Sequence, residues 1–499
     1  MGRPEENKED GIAQEPWLLR TDMISPIRFF TGLLVCGALL CSCATQGAYY
    51  QDVNRLIAAG NYSQAAELTG RSKEKVYGAK NALLYNLDRG MLLHLAGNYA
   101  ESNAAFEKAK SIAQEYFTKS ITAEASTLLV NDTMRPYYGE DFERALINVF
   151  CALNYVFLGR ENEALVEARQ VDGFLTALQT KYGHKGVYKE DPFVRYLMGM
   201  LYENRGQVND AYVSYYKALE SYDENARHYG VAVPRELVID ALRTARQLGF
   251  RDEGAEIEKR WGVPREPGVK TGEGEIVILH YNGPAPVKVD SFFEIAFGKA
   301  WLYVDAVRPQ GEEEAQVEQA AAIARSILFD EQVRMAFPRY VPATYYISSV
   351  SARAQDAAGT TVADARAEVV ENVGGIAEKC LDDRITRIRA RTIARAAIKY
   401  ALSQKISQSV EDNSNNEVLG WLAKKALRVA ATASELADKR SWRSLPDKIE
   451  IVRLAVPSGE YSVQLIFKGP GGEVIDTKVV SNIAVHSGKK TFAVVKTVS

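Results

Sequence analysis

The sequence is poor in the residues from which catalytic and metal sites are usually built. It has five cysteines and five histidines in 499 residues. The histidines lie far apart along the chain, without the short spacings that mark zinc ligands. Motifs for a serine nucleophile elbow, a zinc protease or a phosphate-binding loop are also missing. The sequence therefore predicts no metal and no cofactor, and it favours a protein that is not an enzyme.

An excess of charge of one sign is missing too. Once residues 1–42 are set aside, 57 basic and 58 acidic side chains remain. No overall field attracts nucleic acid or acidic ligands, so partners must be sought in local patches. Cys151 and Cys380 both lie in apolar, helix-like patterns, and we expect buried thiols rather than a disulfide.

One apolar run stands out near the N-terminus. It occupies residues 29–42, about 14 residues, which is shorter than the roughly 20 that a membrane-spanning helix needs. The run therefore favours a secretory signal. The segment Leu40–Cys43 resembles the lipobox of bacterial lipoproteins, in which a small residue precedes a cysteine that is lipidated and becomes the mature N-terminus. This resemblance implies lipidation of Cys43, and Ala44 after it implies the outer membrane of a Gram-negative envelope.

The residues before this run do not fit a signal peptide. Residues 1–22 carry six acidic side chains against three basic ones, whereas a signal begins with a basic region. Translation from Met23 would place Arg28 directly before the apolar run. We interpret 1–22 as an over-long gene start, 23–42 as the lipoprotein signal peptide and 43–47 as the lipidated N-terminus and tether. A genuine but unusual extension is the alternative.

Internal repetition dominates residues 48–262. Two copies share identical offsets between small and aromatic residues, and three more keep a turn glycine with a small residue five positions later. The pattern resembles the tetratricopeptide repeat (TPR), in which small residues let paired helices approach and an aromatic ring fills the gap between them. Uneven spacing of the copies predicts an irregular solenoid. The expected turn glycines are Gly60, Gly97, Gly159, Gly206 and Gly249, and the expected core aromatics are Phe106, Tyr155, Tyr202 and Tyr215.

The second half of the chain has a mixed pattern. Proline and glycine cluster after Trp261 and indicate a domain boundary. Residues 263–360 are interpreted as the first part of a mixed α/β domain. Alanine-rich amphipathic sequence predicts a helical pair over 361–440, and alternating residues predict a C-terminal β-rich, sandwich-like segment over 441–499. The strand-like runs are 275–280, 301–304 and 343–350, with a helix-like run at 312–328.

Together these patterns predict a multidomain fold of class α plus α+β. An irregular TPR-like α-solenoid is followed by a β-rich domain with a helical insertion and a C-terminal β-sandwich-like segment. The strands before and after the helical pair are expected to belong to one sheet domain.

A basic helix over residues 384–399 is the strongest candidate contact surface. It carries six positive charges and no acidic residue. Four arginines share one helical face, and burying them unpaired would be costly. They must therefore meet water, acidic residues of this chain, or an acidic partner. The sequence leaves these alternatives open; the arginines are Arg384, Arg387, Arg391 and Arg395.

Two further motifs are weaker. Ser72 and Lys75 match the Ser-x-x-Lys spacing of β-lactamases, but the companion motifs are missing, so chance explains the match. The acidic cluster Glu140, Asp141 and Glu143 stands where a helix is expected to begin, and acids are favourable there because of the helix dipole. We interpret it as a helix cap.

Several stretches resemble an uncharacterised family of Gram-negative TPR-like outer-membrane lipoproteins. They are Arg135–Glu143, Ala152–Tyr155, Val166–Arg169, Gly283–Lys288 and Ser441–Pro446. Members of this family are often encoded beside a lipoprotein resembling the curli secretion channel or a penicillin-binding-protein activator. The resemblance implies a role in envelope assembly and names no reaction.

The leading hypothesis is a non-enzymatic outer-membrane lipoprotein that faces the periplasm. Its repeat groove and C-terminal domain would hold envelope proteins, while acyl chains on Cys43 supply a stable membrane anchor. The alternative is a cell-wall-binding or cell-wall-active factor, with a site built from residues far apart in sequence. A soluble cytoplasmic co-chaperone is excluded if Cys43 is processed.

Overall fold

The computed structural model describes most of the chain after residue 46. The chain divides into two compact units, Met1–Asp52 and Val53–Ser499. In the first unit, residues 47–52 are helical. Cys43 and the predicted signal peptide lie outside the described residues, which are 47–123, 132–182, 190–262, 272–296, 332–386, 388–389, 392–393 and 437–497.

Helices fill the first part of the second unit. Short turns join them in pairs, with a π-helical turn at Lys73–Tyr77 and a 3-10 turn at Ala79–Asn81 ahead of the third helix. The helices are α1 (53–58), α2 (Tyr62–Arg71), α3 (Ala82–Leu95), α4 (Tyr99–Ala123), α5 (Asp141–Phe157), α6 (Glu161–Tyr182), α7 (Pro192–Asn204), α8 (Val208–Tyr229), α9 (Arg235–Leu248) and α10 (Arg251–Trp261).

The turn glycines occur where the sequence predicts them. Each separates the two helices of a pair, and each has a positive φ between 69° and 78°. Side chains with a Cβ are disfavoured in this left-handed region, so glycine is the residue that makes these turns at little cost. The prediction of five helix-pair turns is confirmed.

Glycines also set the packing inside two pairs. A Cβ built on Gly90 would lie 2.5 Å from the Phe106 ring, and one on Gly199 would lie 2.3 Å from the Tyr215 ring. In both pairs, an aromatic ring of the second helix rests directly on the backbone of the first. Phe106 and Tyr215 are fully buried, which confirms them as core aromatics.

The predictions that two other aromatic side chains are buried in the core are wrong. Tyr155 and Tyr202 are only half-buried, because each lies near the end of a first helix, beneath the guanidinium of Arg160 or Arg169. Gly206 does not mark a close approach of two helices, because a Cβ there would meet nothing within 4 Å. Its φ of 73° explains the glycine instead.

Strands form the rest of the described unit. They are β1 (Glu273–Pro284), β2 (Val287–Ala296), β3 (Gln332–Val341), β4 (Ser349–Gln355), β5 (Thr361–Arg366), β6 (Glu368–Asn372), β7 (Pro446–Pro457), β8 (Gly459–Lys468), β9 (Val474–Val485) and β10 (Lys490–Thr497). A helix, α11 (373–386), follows β6.

Three sheets result, and two of them share a core. The first has the order β10-β1-β7-β6, the second is the hairpin β2-β3, and the third has the order β5-β4-β8-β9. β1 pairs with β10 in parallel and with β7 antiparallel. Apolar side chains of the first and third sheets, among them Ile278, Leu454, Leu465 and Phe467, form one buried cluster. Strands on both sides of the 394–436 segment therefore build the same sheets.

The sequence predictions need two corrections here. Residues 342–348 are irregular, and the strand predicted at 343–350 begins only at Ser349. Residues 361–366 and 368–372 are strands, so the helical pair predicted over 361–440 is wrong for its first twelve residues. Their alanine and glutamate content favours helix locally, but pairing with β4 and β7 outweighs that preference.

The change from helix to strand after Trp261 does not separate two compact units, because helices and sheets pack together within Val53–Ser499. The remaining domain boundaries stay predictions. Residues 301–304 and 312–328, given a strand and a helix in the sequence analysis, lie outside the described residues.

Candidate functional site

The first helices of successive pairs meet β7 and the irregular segment that precedes it. Asp88 on α3 accepts a hydrogen bond from Ser444, and Phe150 on α5 packs edge-on against Trp442. Tyr196 on α7 accepts a hydrogen bond of 2.7 Å from Arg453. The row formed by these helices is therefore already covered within the chain.

Six charges, four of them buried and two half-buried, join the helices to the sheets around Arg453. Arg453 on β7 pairs with Asp240 on α9 and Glu275 on β1. Lys490 on β10 lies 2.6 Å from Glu275 and 2.9 Å from Glu203 on α7. Arg243 completes the set with ion pairs to Glu203 and Asp240. Three cations thus meet three anions.

Charge neutralisation keeps these carboxylates ionised despite burial. Burial alone would raise the pKa of Asp240, but the charges of Arg453, Lys490 and Arg243 hold it below its ordinary value. The pKa of Glu275 is lowered in the same way by Arg453 and Lys490. Removing one partner of such a pair leaves its counterpart charged and desolvated, so loss of any one of these side chains should destabilise the protein.

A second junction surrounds Glu143 at the start of α5. Its carboxylate accepts hydrogen bonds from the backbone N–H of Glu140 at 2.9 Å, from the Tyr137 hydroxyl at 2.5 Å and from the backbone N–H of Trp442 at 2.7 Å. The capping interpretation of this acidic cluster is confirmed. The contact with Trp442 was not foreseen. Burial raises the pKa of Glu143 to about 7, against the opposing charge of Lys288.

Two buried histidines lie on opposite faces of the first sheet. His94 is hydrogen-bonded through its two ring nitrogens to Asn154 at 2.6 Å and to the Tyr281 hydroxyl at 3.0 Å. Burial lowers the pKa of His94 to about 4, so it is neutral at physiological pH. His280 lies 2.7 Å from Glu450 and 2.8 Å from Thr497. Both rings are held by packing and neighbouring side chains, as expected for structural histidines.

Of the four arginines predicted as a contact surface, one is described. Arg384 on α11 pairs with Glu140 and donates a hydrogen bond of 3.0 Å to the Cys380 carbonyl. Arg387, Arg391 and Arg395 lie outside the described residues, as does Cys43. Arg384 thus meets an acidic residue of this chain, and the partner surface stays a prediction.

The repeat array carries an open cleft between α4, α5 and α6. Its volume is about 640 Å³, within the range of ligand pockets. The three helices lie in two adjacent pairs. We call this site the repeat cleft and define it by the lining residues that matter below: Glu107, Lys110, Arg144, Asn148, Glu167 and Phe174.

Lys110 lies between two carboxylates at this cleft. Its ammonium is 2.5 Å from Glu107 and 2.9 Å from Glu167. Burial would lower the pKa of Lys110, but nearby Cys151 and the two carboxylates raise it above its ordinary value. Glu107, Cys151 and Glu167 also present possible metal-ligand atoms within 4.8 Å of one another. A metal ion would have to displace the lysine, so we interpret the group as an internal ion cluster.

A second cleft of about 580 Å³ lies between the β2-β3 hairpin and α11. Phe292 and Phe293 stand half-exposed at its edge, and the Arg389 guanidinium lies 5.8 Å from the Phe337 ring centre. The lining is aromatic and aliphatic with charges of both signs. We call it the hairpin cleft.

Both predicted thiols are free and buried, as expected. Burial raises the pKa of Cys151 well above its ordinary value, and it raises that of Cys380 as well. Raised thiol pKa values oppose formation of the reactive thiolate. Among the residues that the structure describes, every helix is too short or too polar to cross a bilayer.

No protein-family model matches the sequence, and no curated protein matches it. Solved structures that resemble the chain include the MamA protein, with 12% identity over 45% of this chain and 98% of that chain and a TM-score of 0.26. A Podosopora anserina putative kinesin light chain with nearly identical TPR-like repeats has 16% identity over 42% and 90%, with a TM-score of 0.29. A variant of that light chain with a single substitution has 17% identity over 43% and 91%, with a TM-score of 0.28.

Sequence reasoning missed the two junctions and both clefts. A signal for the first junction was present, because Arg453 stands within the apolar run 451–456 and Glu275 directly precedes the apolar run 276–279. A charge in such a strand predicts a buried partner. Nothing local identified Asp240 as that partner. Asn148, in the repeat cleft, carried no recognisable signal.

Proposed function

We propose that this protein is a non-enzymatic, outer-membrane lipoprotein that acts as a scaffold or adaptor for envelope proteins. A lipid anchor on Cys43 would tether it to the membrane, facing the periplasm. Multiple acyl chains give stable attachment, and attachment raises the local concentration of bound partners.

One observation carries the scaffold role. The helical-repeat array has one row of helices covered by β7 and the segment before it, yet it keeps the repeat cleft open between α4, α5 and α6. Buried ion pairs hold this platform in one arrangement, which favours presentation of a preformed surface. The partner site is therefore assigned to the repeat cleft rather than to the row of first helices.

Site-specific photocrosslinking in intact envelopes tests this role. Ser111 and Gln170 line the cleft and are exposed, so crosslinkers there should capture the same partner protein. A crosslinker at exposed Glu220 on α8, outside the cleft, is the matched control. Equal capture at all three positions, or none at the cleft, would contradict the assignment. Capture of peptidoglycan strands instead would favour the cell-wall-binding alternative.

The anchor is tested separately with Cys43→Ala. We expect this variant to leave the membrane fraction and to lose the lipid mass on its N-terminal peptide. A membrane-bound Cys43→Ala protein would remove the lipoprotein part of the proposal and leave the cleft assignment standing.

A further inference from the structure

Strand β10 forms one edge of the first sheet. The sheet order is β10-β1-β7-β6, and among the described strands β10 pairs with β1 alone. An edge strand directs half of its backbone N–H and C=O groups away from the sheet. In parallel pairing, both groups of one residue point to the same side, and those of the next residue point to the other side. Alternate residues of β10 therefore need hydrogen-bond partners from beyond the edge.

Two contacts at the start of β10 show which residues face outward. The backbone N–H of Glu275 on β1 donates to the carbonyl of Lys489, directly before β10, at 2.9 Å. On the other side, the Asn204 side chain accepts from the backbone N–H of Lys490 at 2.7 Å and donates to its carbonyl at 3.0 Å. Odd-numbered residues of β10 therefore face β1, and even-numbered residues face outward.

The far end of the edge is also closed. Lys478 on β9, in the third sheet, donates to the carbonyl of Lys496 at 2.9 Å, which agrees with an outward direction for even-numbered residues. Between the two closed ends lie Phe492 and Val494. Among the residues that the structure describes, none bonds to the outward backbone groups of these two. The middle of the edge is therefore open to pairing.

Two other edge strands are protected against pairing. On β6, the register shifts after Val369, and the Val370 carbonyl accepts a hydrogen bond of 2.8 Å from Tyr222 on α8. On β9, the register shifts near Asn482, whose φ is 61°. Bulges and covering helices are common ways to block an edge. Residues 491–495 of β10 keep a regular register and carry no charge.

The surroundings of this edge define the segment that would fit. Phe492 and Val494 share the sheet face of Lys490, which meets α7. Ala493 and Val495 lie on the opposite face and pack against the cluster that the first and third sheets share. All four apolar side chains are half-buried. An added strand would therefore lie beside apolar side chains on both faces, as strands inside a covered sheet do.

The closed ends limit the length of that segment. The open stretch is Thr491–Val495, five residues. The β10 strand of a second copy has 8 residues, and it could not pair along its length without displacing Asn204 from Lys490. A short segment of another protein could. The edge therefore favours a partner protein over self-association.

We propose that Thr491–Val495 is a strand-addition site. It binds an extended, uncharged segment of a partner protein, about five residues long and apolar on both faces, through the outward backbone groups of Phe492 and Val494. None of these residues lines the repeat cleft. The site is thus a second docking surface, beyond the one on which the proposed scaffold role depends.

Amide hydrogen exchange of the full chain tests the open edge before any ligand is added. The N–H groups of Thr491, Ala493 and Val495 should exchange slowly, because they face β1. Those of Phe492 and Val494 should exchange fast. Slow exchange at all five would show that the edge is already covered, and the proposal would be wrong.

The probe is the blocked pentapeptide acetyl-Thr-Val-Val-Val-Thr-amide, which is uncharged and β-branched throughout. At millimolar concentration it should slow exchange at Phe492 and Val494. Two N-methylated versions, one modified at its odd positions and one at its even positions, each lose the N–H groups of one edge. Only one edge pairs with β10, so one version should bind and the other should bind about tenfold more weakly or worse. A version with glutamate at its centre should also bind about tenfold more weakly or worse.

Val494→Pro tests the same geometry from the protein's side. Proline lacks the N–H group and is tolerated where that group faces away from an edge strand. The variant should lose the slowing of Phe492 exchange by the peptide. Ala493→Pro is the matched control, because it removes an N–H that faces β1, and it should lower the melting temperature more than Val494→Pro does.

Four results would overturn the proposal. They are no slowing of exchange with the peptide, equal binding of the two N-methylated versions, undiminished binding of the glutamate version, and equal losses of melting temperature in Val494→Pro and Ala493→Pro. A dimer of the full chain in which the Phe492 and Val494 amides become slow would instead identify a second copy as the occupant and refute the partner assignment. Crosslinking at Ser111 and Gln170 is measured independently, so failure here leaves the repeat cleft assignment standing.

Discussion

Lys496 is a buried cation without an acidic partner among the described ion pairs, and its removal should stabilise the protein. It lies on β10 and is 5% exposed, with its ammonium 3.4 Å from the Ser444 carbonyl. Burial lowers its pKa from 10.5 to about 7. Lys490, six residues earlier on the same strand, is also buried but pairs with Glu203 and Glu275. The two lysines form a matched comparison.

The sign of the effect follows from proton binding. The unfolded chain holds the Lys496 proton more tightly than the folded one, so folding is penalised wherever the unfolded lysine is charged. From the pKa difference, this penalty is on the order of 4 kcal/mol at pH 7 and falls to about 2 kcal/mol at pH 9. It disappears only as pH rises past 10.5, the ordinary lysine value.

Lys496→Met removes this penalty and keeps the volume of the side chain. We expect the free energy of unfolding at pH 7 to rise by about 2 to 4 kcal/mol, and the gain over the parent to shrink by pH 9. Lys490→Met should instead lose about 3 kcal/mol or more, because Glu203 and Glu275 stay buried with less compensation. Urea denaturation at both pH values measures each change.

A destabilised Lys496→Met protein would refute this reasoning, since it would mean that the ammonium makes a favourable contact in the folded state. A gain that is the same at pH 7 and pH 9 would also contradict it. That result would assign the effect to packing rather than to charge.

Three further predictions follow from burial and packing. Gly199→Leu should lower the free energy of unfolding by roughly 3 kcal/mol, because the leucine side chain would meet the buried Tyr215 ring. Gly206→Leu should lower it by only about 1 to 2 kcal/mol, through backbone strain. Equal melting temperatures of the two variants would contradict this prediction. Arg453→Met should cost about 3 to 5 kcal/mol, and an unchanged melting temperature would show that its carboxylate partners find other cations. Burial, and then the charge of Asp191, raise the pKa of Glu371 well above its ordinary value, so the parent loses stability as pH rises above about 4.5. Glu371→Gln should remove this loss and raise the melting temperature more at pH 8 than at pH 4.

The repeats were predictable because their signal is local. Gly97 and Gly206 stand at turns whose backbone requires glycine, and Gly90 with Phe106 keeps a fixed offset that is visible in the sequence. The strand Thr361–Arg366 was predicted as helix because the signal that makes it a strand is not local. Its strand pairing depends on β4, which is close in sequence, but the sheet continues through β8, about a hundred residues away.

The candidate site was less predictable than the fold. Asn148 has the same appearance in sequence as any asparagine on a helix, and its unmet oxygen is a property of the assembled helices. The ion pair between Asp240 and Arg453 spans 213 residues. No local pattern could join these two positions, although each is a charge in an apolar setting.

The pairing of β1 with β10 has a consequence for the order in which the protein is made. Residues 275–282 on β1 need residues 490–497 beside them, and Asp240 and Glu203 need cations that follow much later in the chain. During synthesis, the helices emerge first, and Asp240 and Glu203 are neutralised only when the later strands have been made. Contacts this distant in sequence form slowly. We therefore expect the helical array to stay incompletely packed until the C-terminus has been made.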